Sequence, residues 1–361
     1  MNTHRKNGSR PEARSNTNGD GKAGFHGLGL HPKLIRAIED LGFERPTPVQ
    51  IDAIPPALAG RDVLACAMTG SGKTAAFVLP ILQRILDEKR GVTRALVLTP
   101  TRELAAQVAD HLEELATHTK VRAATVFGGV GAAPQEQAFR KGVDVIVGTP
   151  GRLLDHFRSD YARLAGLQVL VFDEADRMLD MGFLPDIRRI LEHLPKNPRQ
   201  TLFFSATMPE EIVKLSREIL RDPVRISVER KSAPATGVMQ ALYPVRSQRK
   251  VELLTELLAR GEIGNAIVFC RTKHRADRVA KKLVAQGISA GRIHGNRSQG
   301  QRTAALAAFK QGTTRVLVAT DIVARGIDVE ALDHVVNFDV PHTPDDYIHR
   351  VGRTARAELT G

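Results

Sequence analysis

The 361-residue chain has no tryptophan and only three tyrosines. Extensive stacking of nucleobases on aromatic rings is therefore not how it would hold a nucleic acid. It has only two cysteines, too few for a disulfide framework or a cysteine metal site. Cys66 and Cys270 each end an apolar strand-like run, the setting of a small core residue. No apolar run approaches the ~18 residues that span a bilayer. The polar N-terminus lacks the apolar centre of a signal peptide. These absences lead us to expect a soluble, cytoplasmic protein with no membrane partner.

The formal net charge is +12, and it is unevenly spread. Residues 1–24 carry five Lys/Arg against two acids, residues 25–240 carry 28 against 26, and residues 241–361 carry 19 against 12. A basic excess in the tail and the C-terminal third suits a polyanionic partner. The length fits about two domains of ordinary size.

Residues 1–24 are rich in Asn, Gly, Ser and Arg and read as a disordered basic tail. Apolar runs at 62–67, 95–99, 121–127, 143–148, 169–173, 201–205 and 225–228 then alternate with amphipathic segments. Many are continuously apolar, as in Val169-Leu170-Val171-Phe172. That pattern predicts an α/β fold, a mostly parallel sheet covered by helices on both faces. Residues 25–228 form the expected first domain, and 229–240 read as a linker without periodicity. Residues 241–361 repeat the style, with strands at 266–269, 290–293, 316–319 and 334–338 and helices near 273–286 and 299–310. This second half has no phosphate loop of its own.

The stretch Ala67-Met68-Thr69-Gly70-Ser71-Gly72-Lys73-Thr74 sits between a strand-like run and a helix-like run. Glycines let backbone N–H groups turn toward phosphate oxygens, and the helix N-terminus adds partial positive charge. Lys73 suits the β/γ-phosphates and the Thr74 hydroxyl suits Mg2+. Thr69, Gly70, Ser71 and Gly72 complete a nucleoside triphosphate site. Asp173-Glu174-Ala175-Asp176 closes another buried run. Acids there lie at the carboxyl edge of the sheet, where ligands bind. Asp173 is the expected Mg2+ holder, and Glu174 the residue that polarises the attacking water.

These motifs, in this order, resemble those of the DEAD-box ATP-dependent RNA helicases, and the likeness runs from Phe25 to the end of the chain. Leu28-Gly29-Leu30, Asp180-Met181-Gly182-Phe183 and His294-Gly295-Asn296 look most like the bacterial RhlE-like branch. The resemblance implies two tandem RecA-like domains, the second truncated at Gly361, with ATP and Mg2+ as cofactors. It places an adenine-reading motif at Gly42 to Gln50, including Phe43 and Arg45. The Gln50 amide, with both a donor and an acceptor, suits adenine. Phe25 would stack near the base.

The resemblance assigns RNA contacts to Pro100, Thr101 and Arg102, to Gly128 and Gly129, and to Thr149, Gly151 and Arg152. In the second domain it assigns them to Arg271, Gln299, Arg302 and Thr320. Ser205 and Thr207 would orient Asp173 and Asp176 and, with His349, couple ATP state to closure. Gly326 and Asp328 would approach the ribose. Arg350 and Arg353 would be arginine fingers on the transferring phosphoryl group. The implied activity is RNA-stimulated ATP hydrolysis coupled to local unwinding of short duplexes, with RNA bound through phosphate and 2′-OH and little sequence preference. An ATP-gated RNA clamp that rarely unwinds and a DNA translocase on the same fold remain rival readings.

Overall fold

The computed structural model describes residues 24–68, 70–195, 199–227, 238–321, 332–351 and 354. The expected tail up to residue 23 and linker residues 229–237 lie outside that set. Helices α1 (Pro32–Asp40) and α2 (Pro48–Leu58) lead into β1 (Val63–Cys66), α3 (Lys73–Ile85), β2 (Ala95–Leu98) and α4 (Arg102–Leu115). There follow β3 (Ala123–Val126), α5 (Ala133–Lys141), β4 (Val145–Gly148), α6 (Pro150–Phe157) and β5 (Val169–Phe172). Next come α7 (Ala175–Asp180), α8 (Leu184–His193), β6 (Gln200–Ser205), α9 (Glu210–Ile219) and β7 (Val224–Ser227).

The second half contains α10 (Lys250–Ala259), β8 (Ala266–Phe269), α11 (Lys273–Ala285), β9 (Ala290–Ile293) and α12 (Gln299–Lys310). It continues through β10 (Val316–Ala319) and β11 (His334–Val336) to α13 (Pro344–Val351). Each strand expected from an apolar run is present, its ends shifted by at most two residues.

The first sheet has seven strands in the order β3-β4-β2-β5-β6-β1-β7, and the second has four in the order β11-β8-β10-β9. Every pairing is parallel. The strands read as continuous apolar runs because both faces are covered. On β1, β2, β5 and β6 alternate residues enter two cores. Val63, Ala65, Val97, Val171 and Phe204 face one, and Leu64, Leu96, Leu170, Phe172 and Phe203 face the other. The second sheet does the same, with Val268 and Val318 in one core and Phe269 and Leu317 in the other. At roughly 25 cal/mol per Å² of apolar surface removed from water, this two-sided burial is what fixes the register.

The strand order sorts the motifs. The carboxyl ends of β3, β4 and β2 carry Gly128-Gly129, Thr149 and Pro100-Thr101. Those of β5, β6 and β1 carry Asp173, Ser205 and the phosphate loop. One sheet edge thus holds two neighbouring sets, and their seam is the β2–β5 pair, where the Asp173 N–H donates to Leu98 O at 3.0 Å.

Candidate active site and nucleic-acid interface

The phosphate loop leaves β1 and re-enters helix at α3, with Gly72 as the N-cap at φ 88°. Left-handed backbone of this kind favours glycine. Space also excludes a side chain there, since a Cβ on Gly72 would lie 2.5 Å from Gln50 Nε2 and 2.9 Å from Thr47 Oγ1. Lys73 is buried and its Nζ donates to Ala67 O at 2.9 Å. Ser71 Oγ donates to Met68 O at 2.7 Å. Gly70 is also left-handed, at φ 81°. Thr74 is half-buried in the first turn of α3. Thr69 lies outside the described residues.

Gln50 belongs to this loop as much as to any base. Its Nε2 donates to Gly72 O at 3.0 Å and its Oε1 accepts from Thr47 N at 2.9 Å, closing a capping box on α2. Each end of the amide makes one bond here, which leaves one N–H and one lone pair for adenine. Phe25 departs from expectation. It is 4% exposed inside the first core, with Phe43 stacked on it at 6.5 Å between centroids. A ring held there is not presented to a nucleobase. Arg45 is exposed.

Asp173 and Glu174 are both buried. Burial pushes the Asp173 carboxyl up to about 7; the Lys73 ammonium pulls it down, and Glu174 and Asp176 push it further up. Its Oδ1 finds no hydrogen-bond partner among the described residues. Glu174 occupies the left-handed region at φ 52° and ψ 53°. For a residue with a Cβ this costs about 1–3 kcal/mol and persists only where the surroundings impose it. Here the turn aims Glu174 at the sheet edge beside Asp173.

The Ser205-Ala206-Thr207 segment serves Asp176. Asp176 Oδ2 accepts from Thr207 N at 2.7 Å and Thr207 Oγ1 at 2.8 Å. Ser205 Oγ accepts from Asp176 N at 3.2 Å and donates to Thr207 O at 2.7 Å. Among the described residues the side chains of Ser205 and Thr207 make no hydrogen bond to Asp173. The orienting role falls on Asp176 alone.

On the other half of the edge, Thr101 caps α4, its Oγ1 accepting from Leu104 N at 3.2 Å. Pro100 and Thr149 are buried, and Gly151 is exposed with nothing near it. Gly128 and Gly129 make room for the Arg102 guanidinium, since a Cβ on Gly129 would sit 2.0 Å from Arg102 Nη1. From the opposite side Arg152 Nη2 donates to Val130 O at 3.0 Å and Nε to Phe127 O at 3.3 Å. The two arginines expected to meet RNA directly thus grip the glycine loop.

The second half closes against the first through Glu103. Gln299 Nε2 donates to Glu103 Oε1 at 3.0 Å, and Arg302 Nη2 donates to Glu103 Oε2. All three side chains are buried. Gln299 and Arg302 were expected to contact RNA; here both are committed to an acid of the first half. Glu103 is missing from the sequence-derived site. The signal was a lone acid inside Pro100-Thr101-Arg102-Glu103-Leu104, with no cue to its distant partner.

Arg350 is likewise not free to act as a finger. It is 2% exposed, forks onto Asp321 at 2.6 and 2.7 Å, donates to Asn337 Oδ1 and Asp339 O, and lies over the Phe269 ring at 4.8 Å. Every one of these partners belongs to the second half. Asp339, also missed, accepts from Arg271 N at 3.0 Å and Arg275 Nη1 at 2.6 Å. The Arg271 side chain is exposed, and Thr320 N donates to Ile293 O at 3.3 Å. Gly326, Asp328 and Arg353 lie outside the described residues, as does the side chain of His349 on α13.

Comparison with known proteins agrees with this layout. The DEAD/DEAH box helicase family matches residues 47–215, and the helicase conserved C-terminal domain matches 249–358. The DEAD-box ATP-dependent RNA helicase CshA of Geobacillus kaustophilus is 44% identical over 93% of this chain. The chain belongs to the DEAD-box ATP-dependent RNA helicase family. It spans 72% of the length of that relative and 64% of the CshA of Bacillus cereus.

Yeast Dbp5 bound to RNA and ADP BeF3 superposes with a TM-score of 0.85 at 32% identity, covering 94% of this chain and 88% of that one. A DEAD box protein from Methanococcus jannaschii is 40% identical and reaches only 0.57, covering 94% and 91%. The higher-scoring of the two is the one that holds RNA and ADP BeF3. This member of the DEAD-box family therefore stands in an arrangement like that of a relative holding both ligands, with Glu103 at the junction. Among the described residues no helix is long and apolar enough to cross a membrane.

Proposed function

We propose that the chain is an RNA-dependent ATPase that separates short RNA duplexes locally. One observation carries the reading: the triphosphate half and the RNA half share a single sheet edge, and the second domain closes on that edge through Glu103. ATP binds through the phosphate loop, Lys73 and Thr74, with Gln50 and Arg45 near the base. Glu174 orients the attacking water. With Arg350 held by Asp321, the finger role goes to Arg353. RNA lies across both domains, held by phosphate and sugar contacts at the glycine loop, Gly151, Arg271 and Thr320. Closure bends one strand and disfavours the duplex. Coupling between the two ligands is reciprocal, so each tightens the other.

Mg2+ fits this site. Asp173 Oδ1 is buried without a donor, and a cation there compensates a carboxylate that burial otherwise keeps protonated. A magnesium ion in such a site is bound through one or two carboxylates plus substrate phosphates. Asp173 and Thr74 would hold it, and the ion would neutralise developing phosphate charge.

We read residues 25–228 and 241–361 as the two RecA-like units. We place the protein in the cytoplasm, with its RNA and ATP. The RhlE-like placement rests on the three short tracts alone. An ATP-gated clamp uses the same ATP site and differs only in unwinding.

Steady-state ATP hydrolysis with single-stranded RNA, or with DNA of equal length, tests the reading. Stimulation by RNA alone, abolished in Glu174→Gln, is the expected result. Equal stimulation by DNA would overturn the RNA assignment, and RNA-stimulated hydrolysis without strand separation would favour the clamp.

A further inference from the structure

The glycine loop is held from behind by side chains that no motif includes. Gln135 on α5 is 5% exposed. Its Nε2 donates to Phe127 O at 3.0 Å and Gly131 O at 3.2 Å, so one amide grips both ends of the loop. Gln135 Oε1 lies 3.2 Å from His156 Nε2, and His156 Nδ1 lies 2.9 Å from the Tyr161 hydroxyl. His156, on α6, is 3% exposed and packs against the Phe139 ring at 5.2 Å.

The direction of every bond follows. Both Gln135 amide hydrogens serve carbonyls, so Oε1 must accept. His156 Nε2 must then carry the hydrogen, and Nδ1 accepts from Tyr161. Burial, reinforced by Arg152, holds the imidazole pKa below its ordinary value, which favours the neutral form.

The effect is on the polarity of the loop. The carbonyls of Phe127, Val130 and Gly131 all accept from Gln135 or Arg152. No acceptor among the described residues faces the N–H groups of Gly128, Gly129 and Val130. A loop with three of its five carbonyls occupied from one side and these N–H groups without an acceptor among the described residues attracts anions.

We propose that Tyr161, His156 and Gln135 form a positioning relay that turns the Phe127 and Gly131 carbonyls at the two ends of the loop inward and presents the N–H groups between them to an RNA phosphate. The relay rests on the proposed RNA-dependent reaction and adds three residues to its RNA-binding half. None of them touches RNA or ATP.

The test is RNA-stimulated ATP hydrolysis with oligouridine in the full chain. Gln135→Glu replaces the amide donor with an acceptor opposed to two carbonyls. It should raise the RNA concentration for half-stimulation about tenfold, with kcat at saturating RNA and KM for ATP unchanged. His156→Leu should do the same, and His156→Gln, which restores a donor toward Gln135 Oε1, should recover most of the loss. Tyr161→Phe should give a smaller rise, about threefold. Thermal melts identify variants that fail to fold.

A folded Gln135→Glu with unaltered RNA dependence would overturn the relay. So would equal losses in kcat and ATP affinity, or no difference between His156→Gln and His156→Leu. Absence of RNA stimulation in the unaltered chain would instead overturn the proposed function.

Discussion

Glu103 and Arg302 are 199 residues apart in sequence and share a buried ion pair across the junction of the two halves. Glu103 lies in the first turn of α4, and Arg302 lies in the first turns of α12. Arg302 Nε and Gln299 Oε1 find no hydrogen-bond partner among the described residues. The junction is thus buried but incompletely satisfied, which suits a contact that must form and break in each cycle.

Glu103→Gln should weaken closure without touching either ligand. Removing one charge of a buried pair strands the other, so the penalty falls on the closed state. RNA affinity without nucleotide should hold. The gain in RNA affinity on adding ADP BeF3 should fall about tenfold. Fluorescence anisotropy of labelled oligouridine with and without the nucleotide measures both. An undiminished gain would remove this pair from the closing mechanism.

The raised carboxyl of Asp173 makes stability depend on pH. A group pushed from 3.8 to about 7 binds its proton more tightly when folded than when unfolded. The ligand-free chain therefore loses stability as pH climbs from about 4 to about 7, by a few kcal/mol at most. Asp173→Asn lacks that loss. It should melt several degrees above the parent at pH 8 without nucleotide, with the gap closing near pH 4. Parallel melting curves across this range would contradict the burial of an uncompensated carboxylate.

Arg350 and Arg353 should separate cleanly. Arg350 is enclosed by Asp321, Asn337, Asp339 and Phe269. Arg350→Lys cannot reproduce the two-pronged contact with Asp321. It should cost about 1.5–3 kcal/mol and lower the melting temperature by several degrees. Arg353→Ala should leave melting unchanged and reduce ATP hydrolysis about 10³-fold. Differential scanning fluorimetry beside hydrolysis rates distinguishes them, and a normal melt for Arg350→Lys would restore that residue as a candidate finger.

The strands were legible because each is buried on two faces and leaves an unbroken apolar run, as Val169 to Phe172 does. The placement of Lys73, Asp173 and Glu174 was legible because each follows the end of an apolar strand. Partners remote in sequence were not. Spacing puts Arg350 and Arg353 on one helical face, but it does not reveal that Asp321 and Phe269 claim the first of them. Gln299 and Arg302 carry the polarity of a phosphate contact, and only the folded chain brings Glu103 to them. Phe25 is an aromatic ring near a nucleotide motif, and nothing short of the core around Phe43 tells where it points. Gln135 and His156 stand in ordinary amphipathic helices, and their spacing carries no signal at all.

The order of strands along the first sheet also has a consequence for biosynthesis. The segment bearing Lys73 emerges first, and Asp173 follows 100 residues later. Between them the ribosome makes β2, β3 and β4, the side of the edge proposed to face RNA. At about 5–20 residues per second, that interval lasts from 5 to 20 seconds. Throughout it a nascent chain owns a phosphate loop but not yet Asp173 or Glu174. On the roles proposed for these two acids, hydrolysis waits until the surface proposed to govern it has been made.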